Sequence, residues 1–335
     1  IAIVTGANSG LGFGICERLL LQLSQPVPSD STPQAFAHLL DTGAPSSHEQ
    51  PLPTGLTLIL ACRSRERALE ARSHLLVLLE AELLRRRRNS EQEEYGRKFL
   101  ESLVLDFIPL DLSSVDGVFA FCDTVNKTYP YISHIFCNAG TGSFGGIDWI
   151  GAIVQMCTHP LDAVTSPTFK IQHSGVMSQD DLGWVWQCNV FGHYLMVRTL
   201  KKSLEASPIR PSRVLWISSH QALAETYDPE DWQLIKASQS YEASKYQTEL
   251  LALALNHATA TGTLSTGSSS TRHFIAAPGI VVSSMFYQWI GPIMHVLFIL
   301  TLYIARLCGS EDHPVKAVKG AVSATHAALA PLSLL

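Results

Sequence analysis

The chain has 335 residues, of which 46% are hydrophobic and 16% are charged. Charged residues usually make up about a quarter of a soluble domain, so this composition favours a sizeable core and excludes wholesale disorder. The net charge of -5 argues against a surface that binds nucleic acid. Seven cysteines without a CxxC pair indicate buried thiols in a reducing compartment, not a disulfide framework or a zinc site.

Apolar β-type runs alternate with helical patterns along the chain. The predicted strands are 1–5, 56–62, 103–110, 132–137, 214–218 and 273–277, and the predicted helices are 11–23, 65–84, 115–129, 182–205, 243–260 and 315–329. This alternation predicts an α/β fold with a Rossmann-type, doubly wound parallel sheet flanked by helices. We expect a single domain over residues 1–335, with insertions. No β-type run follows the last helix, so six strands are expected.

Three stretches do not fit a compact core. Residues 24–55 are rich in Ser, Pro, Gln and Thr and are expected to form a flexible surface insertion. Residues 141–180 form a long insert on the side where substrate would bind. Residues 285–308 are apolar but contain Gly291-Pro292, and the part after the proline is too short to cross a bilayer. We favour a pair of short helices there, covering an apolar pocket and dipping into one membrane leaflet. A buried core helix and a spanning helix are the alternatives.

A glycine-rich turn links the first strand to the first helix. The unpaired N–H groups and the positive dipole end of a helix N-terminus attract a pyrophosphate. Gly6 would permit the tight turn, Gly10 a close approach to phosphate and Gly12 the packing of the helix on the sheet. A plain tight turn is the alternative, and the spacing GxxxGxG differs from the common dinucleotide fingerprint GxGxxG. The residues assigned to cofactor binding in this turn are Thr5, Gly6, Asn8, Ser9, Gly10, Leu11 and Gly12.

The ends of the next strands carry further candidate cofactor residues. Arg63 follows the second strand, where a guanidinium would pair with the 2′-phosphate of NADPH and an acid would favour NAD. NADPH is therefore the expected cofactor, and a surface arginine capping a loop is the alternative. Asp111 and Leu112 end the third strand near the expected adenine. The fourth strand ends in Asn138, Ala139 and Gly140 beside the cofactor.

Tyr241 and Lys245 are spaced i, i+4 and share one face of a predicted helix. An unperturbed tyrosine titrates near ~10, and we expect the neighbouring ammonium to lower this pKa by stabilising tyrosinate. Tyr241 could then give a proton to a carbonyl oxygen while a hydride reaches the carbon. The preceding strand ends in Ser218-Ser219, which strengthens the catalytic interpretation.

These motifs occur in one order along nearly the whole chain, and in that order they resemble the short-chain dehydrogenase/reductase family. The resemblance implies that Ser219, or alternatively Ser218, hydrogen-bonds the substrate carbonyl and that Tyr241 is the acid. It implies that Lys245 tunes Tyr241 and holds the nicotinamide ribose, and that Asn189 supports a relay water. Pro278, Gly279 and Ser283 would contact the nicotinamide side, with Ser283 at a position usually held by Thr. The seventh strand usual in the family is expected to be missing.

Three further stretches, 189–195, 241–256 and the insert 141–180, resemble the 3-keto-steroid reductases of sterol synthesis. That resemblance implies NADPH-dependent reduction of a sterol 3-ketone to the 3β-alcohol, in the C4-demethylation step of the ergosterol route. It also implies the cytosolic face of the endoplasmic reticulum membrane or lipid droplets, a membrane surface as partner, and association with other C4-demethylation enzymes. Alternatives are a reductase of retinal or another lipid carbonyl, and a nucleotide-sensing scaffold without turnover.

Apolar side chains in two stretches suggest a large apolar substrate, because both should lie beyond the carboxyl ends of the strands. Plain core packing is the alternative. His193, His220 and His295 are interpreted as structural, since no pair of them has metal-binding spacing. The apolar residues concerned are Phe144, Ile147, Trp149, Ile150, Ile153, Val154 and Met156 in the insert, and Phe286, Tyr287, Trp289, Ile290, Met294 and Phe298 after Pro278-Gly279.

Overall fold

The strands follow continuous apolar runs, as expected for a sheet that is covered on both faces. The computed structural model describes residues 1–32, 55–86, 90–261, 271–281, 287–307, 309–310, 312–313 and 315–335. The strands in this part of the chain are β1 (Ala2–Thr5), β2 (Thr57–Cys62), β3 (Val104–Pro109), β4 (His134–Cys137), β5 (Phe144–Ile147), β6 (Lys170–Gln172), β7 (Arg213–Ile217) and β8 (Arg272–Ala276).

Within the described residues, six of these strands form a parallel sheet in the order β3-β2-β1-β4-β7-β8. Val4 lies at its centre, level with Leu60 on β2 and Phe136 on β4. The chain winds outward in one direction from β1 to β3 and in the other from β4 to β8, so the switch point lies between β1 and β4. The predicted Rossmann-type sheet of six strands is confirmed. The other two strands, β5 and β6, pair antiparallel in a separate hairpin within the insert.

Helices cover both faces of the sheet, and buried apolar residues form one core cluster on each face. Ile15 and Leu75 belong to one cluster, and Phe121 and Met196 to the other. The helices are α1 (Gly10–Leu23), α2 (Arg65–Arg86), α3 (Ser90–Ser102), α4 (Val115–Thr128), α5 (Trp149–Thr158), α6 (Pro160–Thr165), α7 (Trp184–Trp186), α8 (Gly192–Thr199), α9 (Lys201–Glu205), α10 (Ser240–Ala260), α11 (Tyr287–Leu307), α12 (Ala317–Gly320) and α13 (Val322–Leu329). A π-helical turn, Gln187–Phe191, joins α7 to α8.

The prediction of two short helices over residues 285–308 is wrong, because α11 is one helix of 21 residues that continues through Pro292. Pro292 lies in the second turn, so its missing N–H removes one intrahelical hydrogen bond near the helix start. The buried face of α11 contributes Leu302 and Ala305 to a small cluster with Val164 of α6. Among the described helices, none combines the length and the hydropathy that a membrane crossing requires.

The first part of the predicted insertion 24–55 lies against the body of the fold. Asp30 is buried and forms a bidentate ion pair with Arg18 of α1, with both N–O distances at 2.6 Å. Thr325 of α13 donates a hydrogen bond to the same carboxylate. These contacts hold residues 24–32 in place, and the expectation of flexibility for 33–54 falls outside the described residues.

Candidate active site

A cavity of about 480 Å³ lies at the carboxyl ends of the strands in the parallel sheet. Its volume is within the ~300–1,000 Å³ range of small-molecule sites. Thr5, Gly12 and Asn189 lie outside its lining, and Ser283 is not among the described residues. The predicted site residues that line it are Gly6, Asn8, Ser9, Gly10, Leu11, Arg63, Asp111, Leu112, Asn138, Ala139, Gly140, Ser219, Tyr241, Lys245, Pro278 and Gly279.

The turn between β1 and α1 presents the N-terminus of α1 to this cavity. Gly6 and Gly10 have φ values of +66° and +53°, which glycine adopts without strain. The side chain of Ser9, at the N-cap of α1, makes no capping hydrogen bond, so it does not satisfy the first N–H groups of the helix. A Cβ on Gly12 would lie 2.3 Å from the carbonyl oxygen of Gly6. The turn is therefore shaped to leave room and N–H donors for an anion.

Thr5 organises the wall of the cavity from behind. Its side-chain oxygen accepts hydrogen bonds from the N–H groups of Asn138 and Ala139, each at 2.9 Å. The same oxygen lies 2.9 Å from Nε2 of His193, which is fully buried. The amide of Asn138 donates to the carbonyl oxygen of Thr5 at 2.9 Å. Thr5, predicted to bind cofactor, thus fixes the turn after β4 instead of facing the cavity.

Two arginines line the end of the cavity beyond β2. Arg63 follows the strand directly, and Arg67 lies one helical turn further on, in the first turns of α2. Ser64 accepts a hydrogen bond from the N–H of Arg67 at 3.3 Å and therefore holds the start of the helix. On the opposite side, Asp111 accepts hydrogen bonds from the N–H and hydroxyl of Ser113 at 3.0 and 2.6 Å. This end of the cavity is consequently rich in positive charge beside one oriented carboxylate.

Tyr241, Lys245 and Ser219 meet at the other end. Lys245 Nζ lies 5.8 Å from the centre of the Tyr241 ring and donates to the carbonyl oxygen of Ile217 at 2.9 Å. The Ser219 side chain hydrogen-bonds Tyr241. The Ser218 hydroxyl donates to Glu249 at 2.5 Å. The serine beside the phenol is therefore Ser219, and its contact with the substrate carbonyl remains a prediction.

The expectation that the pKa of Tyr241 lies below its ordinary value is wrong for this arrangement. The pKa of Tyr241 is raised to about 12, chiefly because burial disfavours the charged phenolate, while the hydrogen bond from Ser219 lowers it and Glu242 raises it. The pKa of Lys245 is lowered to about 8 by burial. Tyr241 is therefore a protonated phenol at neutral pH, beside an ammonium that loses its charge as the pH rises through about 8.

Asn189 occupies the π-helical turn between α7 and α8, which the sequence pattern did not reveal. Its amide oxygen accepts the N–H of Thr141, and its amide nitrogen donates to the Thr141 carbonyl and to Ser244, all at 2.8 Å. These bonds tie the start of the insert to α10. The Asn189 side chain thus hydrogen-bonds to protein groups. Its predicted support of a relay water remains a prediction.

The insert contributes fewer apolar side chains to the cavity than expected. Val164, Thr165 and Pro167 line it, together with Phe298 of α11. The apolar residues of α5 point outward instead, and their exposed fractions are 49% for Trp149, 78% for Ile150, 64% for Ile153, 55% for Val154 and 40% for Met156. Of the apolar residues predicted after Pro278-Gly279, Phe286 and the side chains of Tyr287, Trp289, Ile290 and Met294 lie outside the described part.

Several lining residues were not predicted from the sequence. Arg67 follows Arg63 by four residues, and this spacing could have indicated a second cation on the same side. Trp184 and Cys188 line the cavity from the segment that contains Asn189, without a motif of their own. Of the histidines interpreted as structural, His193 is buried, His220 lines the cavity, and the side chain of His295 is not described.

No family model matches the chain. The 3-keto-steroid reductase of Schizosaccharomyces pombe is 31% identical to it over 315 residues, which cover 94% of this chain and 78% of that protein. The 3-keto-steroid reductase of Saccharomyces cerevisiae is 30% identical over 323 residues, which cover 96% of this chain and 78% of that protein. The chain therefore has relatives that match it along nearly its whole length.

Solved structures share the fold at lower sequence identity. Salutaridine reductase from Papaver somniferum has a TM-score of 0.55 and 16% identity, and the match covers 98% of this chain and 95% of that one. An NADPH-bound short-chain oxidoreductase from Pseudomonas aeruginosa also has a TM-score of 0.55 and 16% identity, covering 99% and 90%. At this identity the likeness shows the fold alone.

Proposed function

The chain belongs to the family of the 3-keto-steroid reductases, and on this basis we propose that it reduces the 3-ketone of sterol intermediates to the 3β-alcohol with NADPH. The observation that carries the proposal is the meeting of Tyr241, Ser219 and Lys245 at one end of a cavity whose other end holds a helix N-terminus and two arginines. The place we propose for this reaction is the C4-demethylation of sterols in ergosterol synthesis.

The residues present fit a dinucleotide phosphate. Gly6 and Gly10 keep the turn before α1 free of side chains, and the α1 N-terminus offers N–H donors to a pyrophosphate. Arg63 and Arg67 would pair with a 2′-phosphate, and Asp111 would accept from the adenine side. When bound, NADPH supplies the hydride for the ketone carbon. The charge at the arginine end favours NADPH over NADH.

The protein's own part in the reaction is the movement of a proton. Tyr241 is protonated at neutral pH and can donate its phenolic proton to the ketone oxygen as negative charge develops there. Ser219 is hydrogen-bonded to Tyr241 and can hold the same oxygen. The Lys245 ammonium favours the tyrosinate that results, and it keeps its charge below a pH of about 8. Reduction is therefore expected to slow at alkaline pH.

Part of the cavity lining is apolar and suits an apolar substrate. Val164 and Pro167 of the insert, Ile280 and Val281 after β8, and Phe298 of α11 line it. A sterol has little polar surface, so its binding free energy comes mainly from burial of apolar area at ~25 cal/mol per Å². These side chains supply such a surface in the cavity that Tyr241 also lines, which supports a sterol 3-ketone as substrate.

We also propose that the protein works at the cytosolic face of the endoplasmic reticulum membrane, or on lipid droplets, near other enzymes of C4-demethylation. The support is an exposed apolar surface on α5 and the outer face of α11. Ile150 of α5 is 78% exposed, and Leu300 and Leu307 of α11 are 53% and 86% exposed. Apolar area of this kind is stabilised at the boundary of a membrane, where sterol substrates reside.

The test is NADPH oxidation with a 4-methyl-3-ketosterol, run beside retinal as a second lipid carbonyl. We expect turnover of the sterone and formation of the 3β-alcohol, identified by mass spectrometry against both epimeric standards. The Tyr241→Phe variant serves as the blank. Turnover of retinal without the sterone would replace this proposal by a lipid carbonyl reductase, and turnover of neither would leave the nucleotide-binding scaffold as the better account.

A further inference from the structure

The first turn of α10 is capped by a side chain from the insert. Gln239, the N-cap residue of α10, makes no side-chain capping bond. Gln172 of β6 takes this place, because its amide oxygen accepts the N–H of Tyr241 at 3.0 Å and the hydroxyl of Ser240 at 3.3 Å. Such a cap satisfies a backbone donor that the helix itself leaves unpaired. The backbone of the proton donor is thus held from outside its own helix.

A buried ion pair reinforces this contact one residue further on. Lys170 of β6 lies 2.7 Å from a carboxylate oxygen of Glu242, and their side chains are 5% and 6% exposed. The other carboxylate oxygen accepts from the amide of Gln172 at 2.6 Å. Both oxygens of Glu242 are therefore held by β6. An ion pair so far from water costs desolvation free energy, and the loss of one partner leaves a buried unpaired charge.

The same ammonium also reaches the loop that carries Ser219. Lys170 Nζ donates to the side-chain oxygen of Gln221 at 2.5 Å, and the N–H of Gln221 donates to the Ser219 hydroxyl at 3.1 Å. In addition, Nζ lies 5.8 Å from the centre of the Tyr241 ring and 5.7 Å from that of Phe144 on β5. One side chain of the insert therefore contacts groups next to both Tyr241 and Ser219.

We propose that Lys170 is a positioning residue, and that together with Gln172 it clamps the first turn of α10 so that Tyr241 and Ser219 face the substrate in register. The inference rests on the proposed function only in taking Tyr241 as the proton donor. It gives the insert a role in proton transfer, in addition to any contact that the insert makes with substrate. The clamp consists of Lys170, Gln172, Glu242 and Gln221.

The clamp also sets the charge around the phenol. The titratable groups that face Tyr241 are Lys245 and Glu242 on its own helix and Lys170 on β6, while Cys137 on β4 faces Lys245. Glu242 raises the pKa of Tyr241. We expect Lys170 to oppose this effect, because its ammonium lies 2.7 Å from the carboxylate. The two charges therefore act on Tyr241 in opposite directions.

The first experiment measures hydrogen–deuterium exchange in the peptide that contains Tyr241, and it does not depend on any substrate. We expect Lys170→Met and Gln172→Leu to accelerate exchange at the start of α10, because the capping bond to the Tyr241 N–H weakens. The exposed ion pair Lys98–Glu94 on α3 provides the control, Lys98→Met, which should leave this peptide unchanged. Unchanged exchange in both clamp variants would overturn the proposal.

The second experiment separates chemistry from binding. Lys170→Met should lower kcat roughly 10- to 100-fold through misplacement of Tyr241, while the Kd for NADPH, measured by fluorescence, stays at the parent value. Lys170→Arg, which keeps the charge, should recover much of kcat. A parallel loss of NADPH affinity, or no difference between Met and Arg at this position, would indicate mere structural damage.

The third readout is the pH profile of the reverse reaction, in which tyrosinate accepts the proton. Lys170→Met should move the acid limb upward by about one pH unit, and Glu242→Gln should move it downward. The double variant Lys170→Met/Glu242→Leu leaves no unpaired charge, so it should fold even if Lys170→Met does not. The acid limb of the double variant should lie between those of Lys170→Met and Glu242→Gln. Shifts of the same sign would contradict the charge argument. If the parent enzyme turns over no sterone, the exchange experiment still decides on the clamp.

Discussion

At the scale of single residues, two neighbouring serines show how much a difference of one position matters. Both serines follow β7 and line the cavity, but their hydroxyls have different partners. Ser218 donates to Glu249, whereas Ser219 is hydrogen-bonded to Tyr241. The sequence placed both hydroxyls at the end of β7 but left open which one approaches the phenol. The tertiary contacts of the two hydroxyls decide it.

Replacement of the phenol tests its assignment as the acid. Tyr241→Phe should lower kcat about 10²- to 10⁴-fold, the usual contribution of a positioned general acid, and leave the Kd for NADPH unchanged. Stopped-flow NADPH oxidation and fluorescence titration measure the two quantities. Tyr246→Phe, on the same helix with its ring packed against Tyr227, is the matched control and should retain activity. Retained activity in Tyr241→Phe would reject the assignment.

The arginine end of the cavity controls the choice of cofactor. Arg63→Ala should reduce the preference for NADPH over NADH roughly 10- to 100-fold, because a charge-assisted bond to phosphate is lost. The ratio of kcat/KM for the two cofactors measures this preference. Arg65→Ala is the control, since Arg65 begins α2 but does not line the cavity. An unchanged ratio in Arg63→Ala, together with a loss in Arg67→Ala, would move the phosphate contact to Arg67.

At the scale of elements, α5 shows that an apolar pattern does not identify the surface against which a helix packs. Its apolar residues were expected to line the substrate side, yet Ile150, Ile153 and Val154 are exposed. A helix periodicity identifies an apolar face but not what covers it. The turn at Asp148, whose carboxylate caps the N-terminus of α5, sets the direction in which the helix leaves the hairpin. The exposed apolar surface of α5 therefore follows from the tertiary structure and not from the sequence pattern.

Charged substitutions on this surface test the proposed membrane contact. Ile150→Asp/Ile153→Asp should lower binding to anionic, sterol-containing vesicles by at least about tenfold, because each buried isoleucine contributes roughly 1.5–3 kcal/mol. Flotation of the protein with vesicles measures the bound fraction. Val77→Asp/Leu84→Asp on α2 is the matched control, with side chains 61% and 55% exposed. Equal binding of both variants and the parent would place the contact elsewhere.

At the scale of the whole molecule, the buried His193 and the half-buried His134 and His273 link stability to pH. Burial lowers the pKa of His193 and His273 to about 4 and that of His134 to about 3, so all three are neutral in the folded state. In the unfolded chain they take up protons below a pH of about 6.5. Between these folded-state pKa values and about pH 6.5, the unfolded state thus binds more protons than the folded state. Stability is fully present above about pH 6.5 and is lost as the pH falls towards 4.

Acid denaturation curves measure this effect. The free energy of unfolding should fall between pH 6.5 and 4, by at most about 1.4 kcal/mol per pH unit for each histidine. His273→Gln should flatten the slope, because Nδ1 of His273 accepts a hydrogen bond from Trp216 that protonation would break. The exposed His159 gives the control His159→Gln. A slope that is equal in both variants and the parent would rule out His273 as a source.

The sequence by itself determined the features that local spacing encodes. These are the strands of the parallel sheet, the glycine turn before α1, the arginine after β2, and the i, i+4 pair Tyr241 and Lys245. The tertiary structure alone decided that Lys170 and Gln172 hold the start of α10, that Ser219 contacts Tyr241, and that burial raises the pKa of that phenol. The physical reason is that these contacts join distant segments of the chain. Their geometry depends on how these segments pack, which no local periodicity specifies.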